Sequence, residues 1–516
     1  MGKKGKRRSA RSFPKGRQPS DADLDVISTL IGDVPKGRDL VIEHLHTIHD
    51  HFGHITHGHI SALANLLGLA QIDVYETASF YAHFHITEDT LETSSPAVRI
   101  CNGPACRMAG AAQLLRTTDH AHAAPCQGAC DRAPSAMVGK NRISPATIDS
   151  LASTTVTPLP PISEINTTPT PNIAQELKTA GLRGMGGAGF PVAKKWAFLK
   201  DAPHPRVLVV NADEGEPGTF KDRFLLENEP TKVLRGMVIA AQALSVGDVF
   251  IYLRDEYPHI HDSLREALNS VSIDGIKIHL RRGAGAYVCG EETALLNSLE
   301  GKRGQPRNRP PYPAQAGYKG RPTVTHNVET LYWIADIAER GGATYAAQRR
   351  PRFYSVSGRV QNPGVYLAPA TTTVHQLIEM AGGMTNGHTF RAFLPGGASG
   401  GLFPARFGDK SMDFGVFEEL GGFVGSGALM IFSDHDNLWD VVQNLMQFFA
   451  DESCGKCTPC RVGTEKMLAL ISNPDENFEI IKVLAQTMRE ASICGLGQAA
   501  PNPVMSLLTH FEEDEI

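Results

Sequence analysis

The residues of this chain best suited to chemistry are its cysteines. Cys454, Cys457 and Cys460 stand in the run SCGKCTPCR, and Cys494 follows in SICGLG. Three thiolates on one tight loop can cap three irons of a cubane [4Fe–4S] cluster while a remote cysteine supplies the fourth ligand. Gly455, Pro459 and Gly495 suit a loop that turns tightly and aims backbone N–H groups at sulfur. Structural zinc is the competing reading, although zinc sites mostly arrive as two separated C-x2-C pairs. A second set, Cys101 and Cys106 in CNGPAC with Cys126 and Cys130 in CQGAC, offers four thiolates from two loops, as a two-iron cluster requires. For that set, zinc or an empty remnant is the alternative. Cys289 is the cysteine left outside both groups.

Three glycine-bearing turns form the next candidate machinery. GLRGMGGAGFPVAKKW, from Gly181 to Trp196, lets backbone approach a phosphate or a ring closely, and a following helix presents free N–H groups to an anion. It does not fit the G-x-G-x-x-G dinucleotide register. NADEGEPGTFKDR, from Asn211 to Arg223, ends the apolar run VLVV, the place where an open α/β sheet binds ligands. Asp213, Glu214, Glu216 and Asp222 crowd this turn, and like charges so close need hydrogen-bond donors. Ribose hydroxyls, a flavin edge or a nicotinamide amide would serve, and a solvated acidic turn is the plain alternative. The third turn, LRRGAGAYVCGEETALLNSLEG, carries Gly283 and Gly285, with Glu291 and Glu292 opening a helix as ordinary dipole partners.

These elements sit in a chain of 516 residues, long enough for several cores, with 41% hydrophobic and 20% charged residues. No apolar stretch reaches the roughly 18 residues of a membrane span, and no signal peptide is evident, so a cytoplasmic protein is expected. The net charge of −5 carries no nucleic-acid signature, although eight Lys or Arg fall within the first 17 residues. Composition and periodicity divide the chain into a disordered basic arm (1–19), a helical bundle (20–90), a small α/β unit (95–150) and a Pro/Thr-rich linker (151–172). A large domain (173–341) follows, with buried strands RVLVVNA and DVFIYLR, then a β-rich unit (342–430) and a helical C-terminus (431–516). Within the bundle His44, His46, His49, His51, His54, His57 and His59 crowd together, and their spacing reads as solvated or capping residues in preference to a metal site.

Taken in order and spacing, GLRGMGGAGFP, NADEGEPGTFKDR, GAGAYVCGEE, HNVETL and SCGKCTPCR resemble the flavin-containing NADH-binding subunit of respiratory complex I and its relatives. Those relatives include the diaphorase subunits of NAD-reducing hydrogenases and the beta subunits of NAD-dependent molybdenum or tungsten formate dehydrogenases. The resemblance covers about Ala174 to the C-terminus, and the N-terminal part resembles the helical-bundle and thioredoxin-like subunit of the same complexes. Fusion of the two, the segment RDEYP and RGMGGAGF favour the formate dehydrogenase beta subunit.

The resemblance implies a multidomain α/β protein: helical bundle, thioredoxin-like [2Fe–2S] domain, Rossmann-like FMN/NAD domain, ubiquitin-like β-grasp domain of the soluble-ligand-binding kind, and C-terminal helices with the [4Fe–4S] cluster. It implies FMN held by Gly184, Gly186, Gly187, Lys195, Asn211, Asp213, Tyr287, Gly290, Glu291, Asn327 and Thr330. NAD is then placed near Phe190, Phe198, Glu214, Glu216 and Glu292, with Arg309 and Tyr312 on the adenine side. No side chain is implied as catalytic, because FMN carries the chemistry. The implied partners are NAD(H), a catalytic formate dehydrogenase alpha subunit and, as a further candidate, a small iron–sulfur subunit, in a hetero-oligomer. The alternatives are the diaphorase of a hydrogenase or of complex I, or a flavin-free electron-relay or assembly subunit. Met185, Arg309, Tyr312 and His326 depart from the complex I pattern. Only 19 residues separate Cys106 from Cys126, few enough to threaten a strand that sets the two loops face to face.

Overall fold

The computed structural model of the chain describes residues 16–88, 97–152, 159–512 and 515. The basic arm falls almost entirely outside the described residues. Helices Asp21–Ile31, Val41–Phe52, His57–Leu67 and Gln71–Phe80 pack Ile27, Leu45, Ile48, Leu63 and Val74 into one core. Ser20 and Thr56 cap two of them by accepting N–H bonds from Asp23 and His59. The expectation of solvated histidines is corrected here, since His44, His46, His54 and His59 are buried, although His59 does close a capping box with Thr56.

The small unit that follows is a four-stranded sheet in the order Ala121–Ala124, Val98–Cys101, Ala136–Val138, Asn141–Ile143. Its first pair is parallel, and the helices Pro104–Met108 and Ala111–Thr117 make the crossover. The short spacer therefore keeps its strand. Residues 159–172, read as a linker, lie along the helix Pro230–Ala243. Arg235 donates to the carbonyl of Asn166 at 2.7 Å, and Gln242 donates to that of Thr167 at 2.7 Å.

The central domain is a parallel sheet in the order Thr323–Asn327, Arg206–Ala212, Val246–Leu253, Lys277–Arg282. Val207 to Val210 are all buried, as strands covered on both faces demand. The helices Pro230–Ala243 and Val328–Arg340 cross closely, and Gly236 makes this possible, because a Cβ there would lie 1.8 Å from the carbonyl oxygen of Leu331. A five-stranded mixed sheet over 352–433 with the helix Val374–Met380 follows. The chain ends in the helices Leu438–Asp451, Thr458–Leu470, Pro474–Ala491, Gly495–Ala499 and Asn502–His510. No described helix is long and apolar enough to cross a membrane.

Candidate functional site

The three glycine turns meet at the carboxyl edge of the parallel sheet, where strand ends leave a crevice. Asn327 ends one strand and caps the helix Val328–Arg340 by accepting from the N–H of Glu329 at 3.0 Å, and its amide also donates to Asp222. One turn on, Thr330 accepts from the N–H of Met185 at 2.9 Å, which draws the glycine loop over the helix N-terminus. Gly187 in that loop has φ +115°, a region closed to residues with side chains, and a Cβ on Gly186 would press within 3.2 Å of Asn327. Asn211 donates to the carbonyl of Gly290 at 2.9 Å, tying the acidic turn to the third glycine turn. Glu291 caps the helix Glu292–Leu299 by accepting from Thr293 and Ala294. Lys195 reaches Glu292 at 3.0 Å and the carbonyl of Thr325 at 2.9 Å. His326, one of the departures, turns inward and accepts from Trp196 at 2.7 Å, and burial lowers its pKa to about 3.

The acids of the turn divide. Glu214 is buried and satisfied by the N–H of Asp222 at 2.7 Å, the N–H of Arg223 at 3.0 Å and the hydroxyl of Tyr257 at 2.9 Å. Glu216 accepts from the hydroxyl of Tyr287 and from the N–H of Ser399 at 2.7 Å. Oδ2 of Asp213 is buried with no hydrogen-bond partner among the described residues, and burial pushes its pKa up to about 8. An orphaned acceptor beside a loop whose glycines leave backbone bare fits the polar edge of a flavin and its ribityl chain. Around the mouth, Phe190, Phe198 and Tyr312 are 44%, 62% and 55% exposed, and the rings of Phe190 and Phe198 lie 6.2 Å apart. Arg309 stands 3.8 Å from Glu291 and 3.9 Å from Glu292.

Cys454, Cys457, Cys460 and Cys494 line one cavity together with Val288 and Pro306 from the third glycine turn and the loop after it. Cys457 precedes the helix that carries Cys460, and Cys494 caps the helix Gly495–Ala499. Backbone N–H groups of Leu496 and Gly497 point at the Cys494 sulfur, that of Lys456 at Cys454, and the Ser453 hydroxyl lies 3.4 Å from the Cys460 sulfur. Such donors stabilise thiolate ligands of a cluster. The second cysteine set also converges: Cys101, Cys106, Cys126 and Cys130 are all buried, Cys126 and Cys130 have sulfurs 3.8 Å apart, and Cys101 lies beside both Cys106 and Cys126.

Comparison with known proteins agrees with this geometry. Residues 177–348 match the Nuo51 FMN-binding domain, 353–403 the SLBB domain, 440–515 the NADH-ubiquinone oxidoreductase-F iron-sulfur binding region, and 27–123 the thioredoxin-like [2Fe-2S] ferredoxin. The NADH-quinone oxidoreductase-F protein of Aquifex aeolicus is 37% identical over 64% of this chain and 82% of its own length. The Streptomyces coelicolor protein of the same name is 40% identical over 66% of this chain and 81% of its own. The chain belongs to the NADH-quinone oxidoreductase-F family. It is an NAD-dependent oxidoreductase subunit with an FMN-binding domain, a four-iron region and a thioredoxin-like two-iron domain. A chain of an NAD+-reducing [NiFe]-hydrogenase in the air-oxidized state shares its fold, with a TM-score of 0.80 and 31% identity over 94% of both chains. Because that match runs through the N-terminal unit, fusion of the two parts does not by itself separate formate dehydrogenases from hydrogenases.

Sequence reasoning missed how the two-iron unit of this family member is clamped to the acidic turn. Arg254, from the segment RDEYP, donates to the carbonyls of both Glu214 and Cys126. Tyr257 places its hydroxyl where a Cβ on Gly128 would stand, 2.1 Å away. Arg223 binds Asp131 at 2.6 Å, and the N–H of Gly218 points at the Cys130 sulfur. In the sequence RDEYP served only the resemblance to formate dehydrogenase beta subunits; nothing in it points to partners 128 positions away.

Proposed function

We propose that this chain is the diaphorase subunit of an NAD-dependent formate dehydrogenase, exchanging reducing equivalents between NAD(H) and a molybdenum- or tungsten-containing partner subunit. Bound FMN supplies the conversion between hydride and single electrons that nicotinamide and iron–sulfur clusters cannot make directly. The chain's own residues supply position. Gly184, Gly186, Gly187 and Gly290 leave room for the isoalloxazine and its tail, Asn327 and Thr330 offer a helix N-terminus to the phosphate, and Lys195, Asn211, Asp213, Tyr287 and Glu291 line the polar edge. Phe190 and Phe198 form an exposed shelf for the nucleotide, with Glu292, Arg309 and Tyr312 at its rim and Glu214 and Glu216 beneath.

The observation that carries the reading is the cavity shared by four cysteines and by Val288 of the flavin turn, which puts a cluster site in contact with the flavin domain. RDEYP and RGMGGAGF support the formate assignment, while the full-length similarity to the hydrogenase chain supports a second reading as a hydrogenase diaphorase. Purification with the co-eluting large subunit tests both. NAD+ reduction driven by formate is expected. Reduction driven by hydrogen and not by formate would transfer the chain to the second reading, and a colourless protein that releases no FMN would refute the diaphorase role.

A further inference from the structure

Three imidazoles meet at the seam where the N-terminal bundle, the two-iron unit and the flavin domain join. The segment 81–84 turns back onto the third glycine turn, with the N–H groups of Ala82 and His83 donating to the carbonyls of Gly285 and Ala284 at 3.2 and 3.1 Å. This brings His83 beside His46 and His49, with ring centroids 4.9 and 4.8 Å away. None of these residues serves the flavin or the clusters.

Hydrogen bonding fixes two of the tautomers. His46 Nε2 lies 2.8 Å from the carbonyl oxygen of Gly283, an acceptor, so the proton is on Nε2 and the lone pair on Nδ1. His83 Nδ1 lies 2.5 Å from the carboxylate of Asp255. That contact takes a proton from Nδ1, so Nε2 is the nitrogen available to a cation. Arg99 approaches Nδ1 at 3.0 Å but is held by the carbonyl of Gly139 at 3.3 Å and lies 4.0 Å from Asp255. His46 and His83 are 3% and 4% exposed, and both lone-pair nitrogens, His46 Nδ1 and His83 Nε2, are buried without a partner among the described residues. Ligand atoms of His46, Asp50 and His83 all fall within 4.8 Å of one another.

We propose that His46 Nδ1, His83 Nε2 and a carboxylate oxygen of Asp50 bind a zinc-class divalent cation that pins the N-terminal bundle to the flavin domain. Imidazoles that donate their second N–H to a carboxylate and a carbonyl are oriented as metal ligands usually are, and two nitrogens with one oxygen suit zinc with a fourth position for water. Asp50 has an oxygen to give: Oδ2 takes Arg282 at 2.6 Å and Lys140 at 2.7 Å, whereas Oδ1 meets Arg282 at 3.4 Å, the outer limit of hydrogen bonding. The positive charge of Arg99, Arg282 and Lys140 opposes a dication, and Lys140, with its side chain 51% exposed, can swing into solvent to relieve it.

The test is metal analysis and zinc-edge X-ray absorption of the full chain carrying its flavin and clusters, as isolated and after exposure to excess zinc followed by desalting. The expected result is about one zinc per chain beyond iron, with nitrogen and oxygen scatterers at about 2.0–2.1 Å and the outer-shell pattern of histidine. His83→Gln is expected to lose the zinc with iron and FMN retained, whereas His49→Ala keeps it. Absence of zinc under both conditions overturns the proposal, and so does zinc with sulfur scatterers at about 2.3 Å, which would place it at the cluster cysteines. Should His83→Gln fail to fold, the spectrum of the unaltered protein decides alone.

Discussion

Replacing Gly128 with Ala tests whether the two-iron loop is held against the acidic turn as tightly as the structure indicates. Gly128 has φ +66°, where a residue with a Cβ costs about 1–2 kcal/mol. The new methyl would lie 2.1 Å from the Tyr257 hydroxyl, which cannot retreat because Tyr257 is fully buried and bonded to Glu214 at 2.9 Å. Overpacking of this kind costs about 1–3 kcal/mol. Together the terms give about 2–5 kcal/mol, or roughly a 30- to 5,000-fold increase in local opening, to be read as faster amide hydrogen exchange over residues 126–134. Adding Tyr257→Phe separates the two terms. It removes the 2.1 Å clash but leaves ring carbons 2.8 and 2.9 Å from the methyl, so only part of the protection returns. NADH oxidation with an artificial acceptor is expected to be unchanged in Gly128→Ala. Exchange in Gly128→Ala equal to that of the unaltered protein would refute the clamp.

Other consequences reach the flavin site and the four-iron site. Cys457→Ser should leave FMN bound and NADH oxidation with artificial acceptors intact while abolishing coupling to the partner's substrate; loss of FMN as well would mean that the cysteine cavity is needed for folding. Phe198→Ala should raise KM for NADH by about five- to thirty-fold at nearly constant kcat, the equivalent of about 1–2 kcal/mol of stacking, and a fall in kcat alone would show that the shelf is not where the nucleotide lies. Asp213 supplies a pH dependence. Its folded pKa of about 8 lies above the ordinary 3.8, so flavin-stripped protein is most stable with Asp213 neutral and loses stability as pH rises from 4 through 8. Bound FMN that donates to Oδ2 should flatten this decline. Melting temperatures of stripped and loaded protein that fall in parallel over pH 6 to 8.5 would count against that contact.

Local motifs were legible because their chemistry is written in adjacent residues. Both cysteine sets, the strand of Val207 to Val210 and the three glycine turns needed only spacing and composition, and the structure brings each group together. What stayed hidden depends on chain reversal. His46 and His83 meet because the segment 81–84 pairs with Ala284 and Gly285, a register that no periodicity in the helix Val41–Phe52 announces. Residues 159–172 read as a linker because Pro and Thr break helical patterning; their backbone carbonyls are nevertheless satisfied by Arg235 and Gln242, long side chains of a helix some 70 positions on.

The acidic turn shows most clearly how far sequence reasoning carries. Clustered carboxylates at the end of VLVV demand hydrogen-bond donors, and a ligand was the expected source. The protein itself supplies them for three of the acids: Asp222 takes Lys221 and Asn327 within the flavin domain, and the donors of Glu214 and Glu216 couple other parts of the molecule to the sheet edge. Glu214 is satisfied by Tyr257, whose ring abuts the two-iron loop at Gly128, and Glu216 by Ser399 of the β-rich unit. Of these acids Asp213 alone keeps a buried oxygen without a donor among the described residues. Its neighbours are committed to holding domains in place, so the unmet demand of this one carboxylate marks the face of the turn left for the flavin.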